Sequence, residues 1–600
     1  VSGRKSYESG ADGPHPEPAR AGMSLPAREG RRRAATNTTF RADPLRAAPA
    51  LTLALFLLPI GAGLLGTLAP AFGIFPALGE TQLSLDPWRD LVAQPGFATS
   101  LRLTLTSGFL STALALLFAC GFAALASTRA GTARLERALA PLLATPHVAV
   151  AIGLAFLIAS SGFLARVVSP WLTGWERPPA LAIVRDPWGL SYVAGLAIKE
   201  TAYLVLMVLA AQGQVRAAQA LAAARALGYP PLVAWAKVVL PAIYRQVRLP
   251  VYAVLAFSLS NVEVAVVLAP GTPPPLSVLA IRWFSSWDLS LYPTAAAAAT
   301  LQLLVVVAGI GAWRLAEIAG KRLHRAWCAR GARHGLAGPI LGIGGAGAVL
   351  SGVLVLGAIA VMALWSVAEG WRYPDALPPT LSLRNWARAA PTLVDLVGTT
   401  ALVAACATAI ALALALACLE NEARRDLKPG AGALWLLYVP LLVPQIAFLF
   451  GAQVALVRLD LDATLLAVVW AHLLFVLPYV FLSLADPFRA LDPRYARIAA
   501  GLGAGPWRTF LAVKLPMLAR PIATAFAVGF SVSVALYLPT LFAGAGRIMT
   551  LTTEAVTLSS GADRRVVGVT AFAQAALPLL VYAAALAVPG LLAARRRVAA

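Results

Sequence analysis

The sequence predicts an all-α polytopic membrane protein made of two parallel six-helix repeats, about twelve transmembrane helices in all. Three observations carry that prediction. Of the 600 residues, 59% are hydrophobic and only 13% are charged, whereas soluble domains run nearer a quarter charged. Apolar runs recur along the whole chain, and many reach the ~20 residues needed to cross a bilayer core of ~30 Å. One polar, basic loop occurs twice between such runs. Ala223-Ala224-Arg225-Ala226-Leu227-Gly228 leads to Leu240-Pro241, and Ala499-Ala500-Gly501-Leu502-Gly503 leads to Leu515-Pro516, with the same glycine-to-proline spacing in both.

Taken in order, residues 1–46 are rich in Pro, Gly and Arg, with Arg31-Arg32-Arg33 at their centre. Such a stretch cannot bury a core and reads as a disordered basic cytoplasmic tail. Met23 offers an alternative start, and Ala69-Pro70-Ala71 is a faint cleavage-like signal that the later topology argues against. Spans are expected near 48–69, 103–126, 139–159, 189–210, 250–269, 292–313, 339–364, 396–418, 433–456, 464–485, 521–543 and 567–592. Most of the 49 Lys and Arg then fall in the tail, the even-numbered loops and Arg595-Arg596-Arg597. By the positive-inside rule that side is cytoplasmic, with both termini on it. The net charge of +22 is therefore a topology signal and not a nucleic-acid footprint.

The second half repeats the first. Ala113-Leu114-Ala115 before Cys120 matches Ala411-Leu412-Ala413 before Cys418, and Pro141-Leu142-Leu143 matches Pro440-Leu441-Leu442. The first half carries extra residues on the outer side, around Trp171, Trp175 and Trp188, which suit an interfacial aromatic belt. The expected division is 47–325 for the first transmembrane domain and 326–600 for the second. Parallel halves place a pathway between them.

Catalytic chemistry is not supported. There is no phosphate-binding GxxxxGK[ST] loop, no HExxH and no GxSxG. The histidines His15, His147, His324, His334 and His472 stand apart, and the four cysteines are scattered without metal-ligand spacing. No cofactor and no metal are expected.

The duplicated loop has its own physics. Leu-Gly after a helical Ala-Ala turn ends a helix, because Gly takes the left-handed cap cheaply. Pro231 and Pro506 suit the first turn of a new helix. Leu240-Pro241 and Leu515-Pro516 are expected to terminate that segment before the next span. The product is a stiff elbow protruding into the cytoplasm.

Polar residues inside the spans form the second informative set. Lys199 and Glu200 fall halfway along the fourth span, Asn261 and Glu263 in the outer part of the fifth, and Ser531, Ser533 and Tyr537 in the eleventh. Charges at that depth cost several kcal/mol unless they meet a partner or water. Two readings stand side by side: a translocation path, or a structural ion pair such as Lys199 with Glu263. The outer stretches Gly271 to Trp283 and Gly544 to Val556 each read as a rigid turn followed by a short helix.

These residues carry a resemblance. The paired loop resembles the EAA loop of type I ABC importer permeases, and two fused halves in one chain resemble the iron(III)/thiamine group of that family. Tyr537-Leu538-Pro539-Thr540-Leu541, Gly544-Ala545-Gly546-Arg547 and Leu551-Thr552-Thr553-Glu554-Ala555-Val556 are similar to the YnjC-type inner-membrane permeases. The resemblance implies a permease subunit in a bacterial inner membrane, with no enzymatic activity of its own. It also implies a cytoplasmic ABC ATPase dimer gripping the two elbows and an outer substrate-binding protein. Nucleic acid has no role. The coupling residues implied are Ala223, Ala224, Gly228, Leu240, Pro241, Arg497, Ala499, Gly503, Leu515 and Pro516. One departure stands out: the family's loop glutamate is Ala222 in the first copy and Arg497 in the second. The solute, whether thiamine, ferric ion, another chelate or a polyamine, is left open. The competing class is a twelve-span secondary transporter driven by an ion gradient, in which the elbows have no role.

Overall fold

Apolar helices in a bilayer gain little by hiding from water, so they associate where small residues let backbones approach. That rule organises this chain. The computed structural model describes residues 44–127, 145–427 and 430–598. The expected tail, apart from its last residues, and the start of the expected third span lie outside them.

The first half begins with α1 (Ala48–Ala71), the short α2 (Asp86–Ala93) and α3 (Phe97–Ala126). Then come α4 (His147–Ile158), α5 (Phe163–Val167) and α6 (Leu190–Gln214). Asp186 caps α6 through the backbone N–H groups of Leu190 (2.8 Å) and Ser191 (2.9 Å). Burial pushes the Asp186 carboxyl up, but these bonds and the Ser191 hydroxyl outweigh it and hold it below its ordinary value. The half ends with α7 (Ala217–Ala226), α8 (Pro231–Ser260), α9 (Glu263–Leu268), α10 (Leu276–Phe284) and α11 (Tyr292–Ala329).

The second half runs through α12 (Ala337–Val367), a two-stranded ribbon (Ala368–Gly370 with Thr380–Leu381) and α13 (Arg384–Arg425). It continues with α14 (Ala431–Leu442), α15 (Gln445–Arg458), α16 (Leu465–Arg489) and α17 (Pro493–Gly501). It closes with α18 (Pro506–Met517), α19 (Ala519–Ala535), α20 (Leu538–Ala543), α21 (Leu551–Leu558) and α22 (Arg564–Val598). Thr464, Asp492 and Thr550 cap α16, α17 and α21 with side-chain oxygens, the usual remedy for orphan N–H groups at a helix start.

Ten helices among the described residues are long and apolar enough to cross a membrane, or up to twelve if two sharply bent pairs each count as one span. The expected ninth span is not straight. It turns by 99° between Leu442 and Gln445, because Pro444 forces the preceding Val443 into extended backbone. The expected fifth and eleventh spans also break, at Asn261 and at Leu536. The boundary expected at 325/326 falls inside α11, and the chain leaves the helix at Arg330.

The duplication is visible in detail. From α6 onward the elements repeat at an offset of 275 residues (Gly228 to Gly503): α9 matches α20 and α10 starts where α21 does. Both α8 and α18 contain a five-residue π-helical turn, Trp235–Val239 and Phe510–Lys514, at that same offset. A π-turn is rare and costs hydrogen-bond geometry, so its recurrence at matching positions is a strong mark of common construction.

The first helix of each half packs on the other half. Helix α1 crosses α15, where a Cβ on Gly66 would stand 2.8 Å from the Gly451 Cα. Thr67 Oγ1 there accepts the Gly451 N–H at 3.1 Å. Helix α12 crosses α3 and α4, where a Cβ on Gly153 would stand 2.6 Å from the Ala358 carbonyl oxygen. The described residues from Leu45 onward accordingly form one packing unit.

On the face opposite the elbows, the extra residues of the first half act as a clasp. Arg166 of α5 is buried. It donates to the carbonyls of Ser161 (3.0 Å), Arg372 (2.7 Å), Asp375 (3.3 Å) and Trp371 (3.4 Å). Its guanidinium lies over the rings of Trp365, Trp371 and Tyr373 at 5.0–5.6 Å. Arg564 of α22 closes the far side by donating to the Ser161 hydroxyl at 2.7 Å. Trp171, which donates to the Val167 carbonyl, remains exposed beside it, and Trp188 is exposed under the Arg102 guanidinium. Charge-assisted hydrogen bonds are worth ~1.5–3 kcal/mol each, and more is lost when buried acceptors are stranded. Arg166→Ala should therefore destabilise the protein by about 2–4 kcal/mol, while Arg166→Lys keeps the charge but only part of the fan of donors. Thermal unfolding of the purified variants should rank them wild type, Lys, Ala.

Candidate functional site

Both duplicated loops fold as elbows on one face. Helix α7 ends at Ala226, and Gly228 follows at φ +83°; α17 ends at Gly501, and Gly503 follows at φ +80°. Only a residue without Cβ adopts that conformation freely. Pro231 and Pro506 then open α8 and α18. Ala224 and Ala499 are buried at equivalent positions, while Ala222, Ala223 and Arg497 point to solvent. Leu227 and Leu502 are exposed at 65% and 82%, which presents an apolar tip at each elbow.

One expectation about the elbows is corrected. Leu240-Pro241 does not end its segment. The helix continues unbroken from Pro231 to Ser260, because the π-turn just before Pro241 already reroutes the hydrogen bonds that proline would block. At Leu515-Pro516 the chain does turn, by 74° beyond Met517.

The elbows are braced differently. Lys237 donates to the Ala332 carbonyl at 2.7 Å and lies between the Tyr229 and Trp327 rings, which ties the first elbow to the linker between the halves. Lys514 donates at 2.7 Å to Glu420, a buried carboxylate that also takes Arg424 at 2.8 Å. Arg424 in turn stacks on Trp507, so the second elbow is held by the end of α13.

The other site lies at the seam between the halves. Helix α8 stops at Ser260 and restarts as α9 at Glu263, and α19 stops at Ala535 and restarts as α20 at Leu538. The two breaks meet: the Tyr537 N–H donates to Glu263 Oε1 at 3.3 Å. Each break frees carbonyls that need donors inside the membrane. Tyr192 OH and Ser277 Oγ donate to the Asn261 carbonyl, and Gln302 Nε2 to the Leu259 carbonyl. In the second half Thr552 Oγ1 donates to the Val534 carbonyl and is itself held by Gln574 Nε2 at 2.6 Å. The N-termini of α10 and α21 are also served alike, with the Leu276 and Leu551 N–H groups each donating to a threonine, Thr104 or Thr400, at 2.9 Å.

The seven candidate pathway residues separate. Asn261, Glu263, Ser533 and Tyr537 stand at the breaks. Asn261 Oδ1 accepts the Val264 N–H and caps α9, and Ser533 is hydrogen bonded to the buried His472 at 2.7 Å, whose other nitrogen meets Thr540 at 2.8 Å. Among the described residues Ser531 bonds its own helix, at the Ala527 carbonyl. Glu200 pairs with His147 at 3.1 Å. Lys199 lines a small cavity with Phe122 and Ser351, between α3, α6 and α12. Glu263 takes its hydrogen bond from Tyr537, where the ion-pair reading had placed Lys199.

Sequence reasoning treated the histidines as isolated, yet His147 and His472 are wired into the seam. It also passed over Tyr203, Tyr438 and Tyr479. Tyr203 and Tyr479 lie within electrostatic range of Glu200, from opposite halves, with Tyr438 close to both. Gln302 and Gln574 were missed too, although a buried-span glutamine at the same depth in the last helix of each half was the available signal. Among the described residues no group of three or more His, Cys, Asp or Glu could hold a metal ion.

No protein-family model matches the chain. Over 521 residues it is 32% identical to the inner membrane ABC transporter permease protein YnjC of Escherichia coli (strain K12), covering 86% of this chain and 93% of that protein. A stretch of 149 residues is 26% identical to the putrescine transport system permease protein PotI of the same strain, covering 24% of this chain and 53% of that protein. Likeness along nearly the full length of such a relative, in an all-α polytopic chain, shows that this chain belongs to the ABC transporter permeases.

Proposed function

We propose that this chain forms the transmembrane pathway of an importer for a small solute, driven by a separate ABC ATPase dimer that grips the two elbows. A soluble binding protein would deliver the solute on the opposite face. Thiamine, ferric ion or a related solute fits the fused two-half architecture, and the shorter likeness to a putrescine permease keeps polyamines in view. Both termini would lie in the cytoplasm of a bacterial inner-membrane protein. Nucleotide binding would draw the elbows together and open the seam outward, and release would close it.

The observation that carries this reading is the pair of matched elbows: glycines at φ +83° and +80°, exposed leucine tips and π-turns in register. Two identical sockets on a dimeric engine require two such projections on one face. The coupling set would be Ala223, Ala224, Gly228, Leu240 and Pro241 in the first elbow, with Arg497, Ala499, Gly503, Leu515 and Pro516 in the second.

Replacing Gly503 by Val should strain the elbow by about 1–2 kcal/mol through backbone conformation alone, since a Cβ there meets nothing within 4 Å. Gly228→Val adds only contact with the flexible Arg333 guanidinium. Each variant should insert normally but hydrolyse ATP without transport when co-purified with its ATPase. Coupled transport at wild-type levels in both would reduce the elbows to ordinary loops. Arg497→Glu should weaken assembly more than Ala222→Glu, and the gap should shrink with added salt, because an exposed ion pair is screened.

Reporter fusions test the orientation. The charge distribution predicts cytoplasmic signals at Arg330 and external signals at Trp175 and Arg384. An external signal at Arg330 would contradict two parallel halves.

A further inference from the structure

Glu263 is a carboxylate that the fold does not need. It is 94% buried, with a relative exposure of 6%. Its one hydrogen bond among the described residues is the long contact from the Tyr537 N–H at 3.3 Å. Among the same residues no lysine, arginine or histidine stands within ion-pairing distance of it, whereas Glu200 has His147, Glu420 has Lys514 and Arg424, and Glu317 has Arg314. An ionised carboxylate buried without a cation is expensive, and such groups inside a membrane mark function by default.

The duplication supplies an internal control. The residue that starts α20, at the position equivalent to Glu263, is Leu538. Both short helices have six residues, both follow the same break and both are buried. The broken span therefore forms equally well with a leucine at this place, and the charge serves something other than the break. It sits where the two halves meet, in the seam proposed as the pathway. On the elbow side of it the seam offers more of the same chemistry: Glu200 of one half within range of Tyr479 of the other, and Phe257 against His147 at 4.9 Å.

We propose that Glu263 is the counter-ion for a positively charged group on the transported solute. It would hold that cation at the junction of the two breaks, with tyrosine and phenylalanine rings receiving the rest of the molecule. The solute class is then an organic cation, an ammonium or other nitrogen cation on a body small enough for the seam. Carboxylate with aromatic rings is the pairing that recognises such cations. Anionic and neutral solutes would leave the buried charge uncompensated. This inference rests on the importer reading.

The test uses the full chain, purified in detergent, in three forms: wild type, Glu263→Gln and Glu263→Leu. The leucine variant copies the other half and should insert, fold and melt no lower than wild type. Thermal unfolding is followed with putrescine, thiamine and tetramethylammonium, and with succinate and glucose, at matched ionic strength. At least one cation should raise the wild-type midpoint by a few degrees, with apparent affinity about tenfold or more weaker in both variants; succinate and glucose should do nothing. An equal response in all three forms, or none to any cation, overturns the proposal. So does a wild-type midpoint that responds at this site to pH alone, which would assign the carboxylate to a proton. A leucine variant that fails to insert overturns it too, by making the carboxylate structural. Co-purification of the ATPase is scored in parallel on all three. If wild type fails to bind an ATPase, the importer reading falls; if all three bind one and no cation effect is seen, only the present inference falls.

Discussion

A backbone carbonyl inside a bilayer has no water to turn to, and breaking a spanning helix is tolerable only where the chain brings its own donors. This molecule breaks two of its spans at equivalent points, and much of its polar chemistry follows from that. Tyr192, Ser277 and Gln302 serve the carbonyls freed near Asn261, and Thr552 with Gln574 serves those freed near Leu536. Thr104 and Thr400 receive the N–H groups of the helices that follow. The breaks are therefore fixed features with satisfied ends, not frayed helix termini. They give a seam that can carry side chains such as Glu263 without melting the spans around it.

Duplication sets the frame and small departures from it set direction. Glycines at the crossing of α1 with α15, and of α12 with α4, let the first helix of each half pack closely on the other half. The clasp around Arg166 exists on one side only, since the chain between α15 and α16 is a short turn where the first half has a long excursion. The elbows share backbone geometry but differ in bracing, the first on the linker at Ala332 and the second on Glu420 of α13. A pull on the second elbow thus reaches a transmembrane helix directly. A pull on the first reaches the joint between the halves.

Much of this was legible in the chain itself. The elbows follow from Gly228, Pro231, Gly503 and Pro506, whose backbone preferences are local and strong. The short helices α10 and α21 follow turns built on Gly271 with Pro273 to Pro275, and on Gly544 with Gly546, for the same reason. The breaks at Asn261 and Leu536 were hidden, because the polar residues around them, Ser260, Asn261, Glu263 and Ser533, are also tolerated in an unbroken span, and the donors that serve the freed carbonyls lie 16 to 69 residues away. The pairing of His147 with Glu200 spans 53 positions and involves two helices, so no periodicity could announce it. The continuation of α8 through Leu240-Pro241 was misjudged because a π-turn absorbs a proline that a regular helix would not. The crossing of each half's first helix onto the other half depends on glycine contacts between distant segments, and glycine is too common in spans to point to a partner.

Coupling through the elbows requires that the two move as a pair under nucleotide. Leu227 and Leu502, exposed at 65% and 82% beside the hinge glycines, can each be replaced by a spin-labelled cysteine, after the exposed native Cys328 is removed. The distance between the labels is then measured by pulsed electron resonance in the permease–ATPase complex. Non-hydrolysable ATP is expected to shift the distribution to shorter distances, and nucleotide removal to restore it. A distribution unchanged by nucleotide, in a complex that still transports, would contradict paired movement of the elbows.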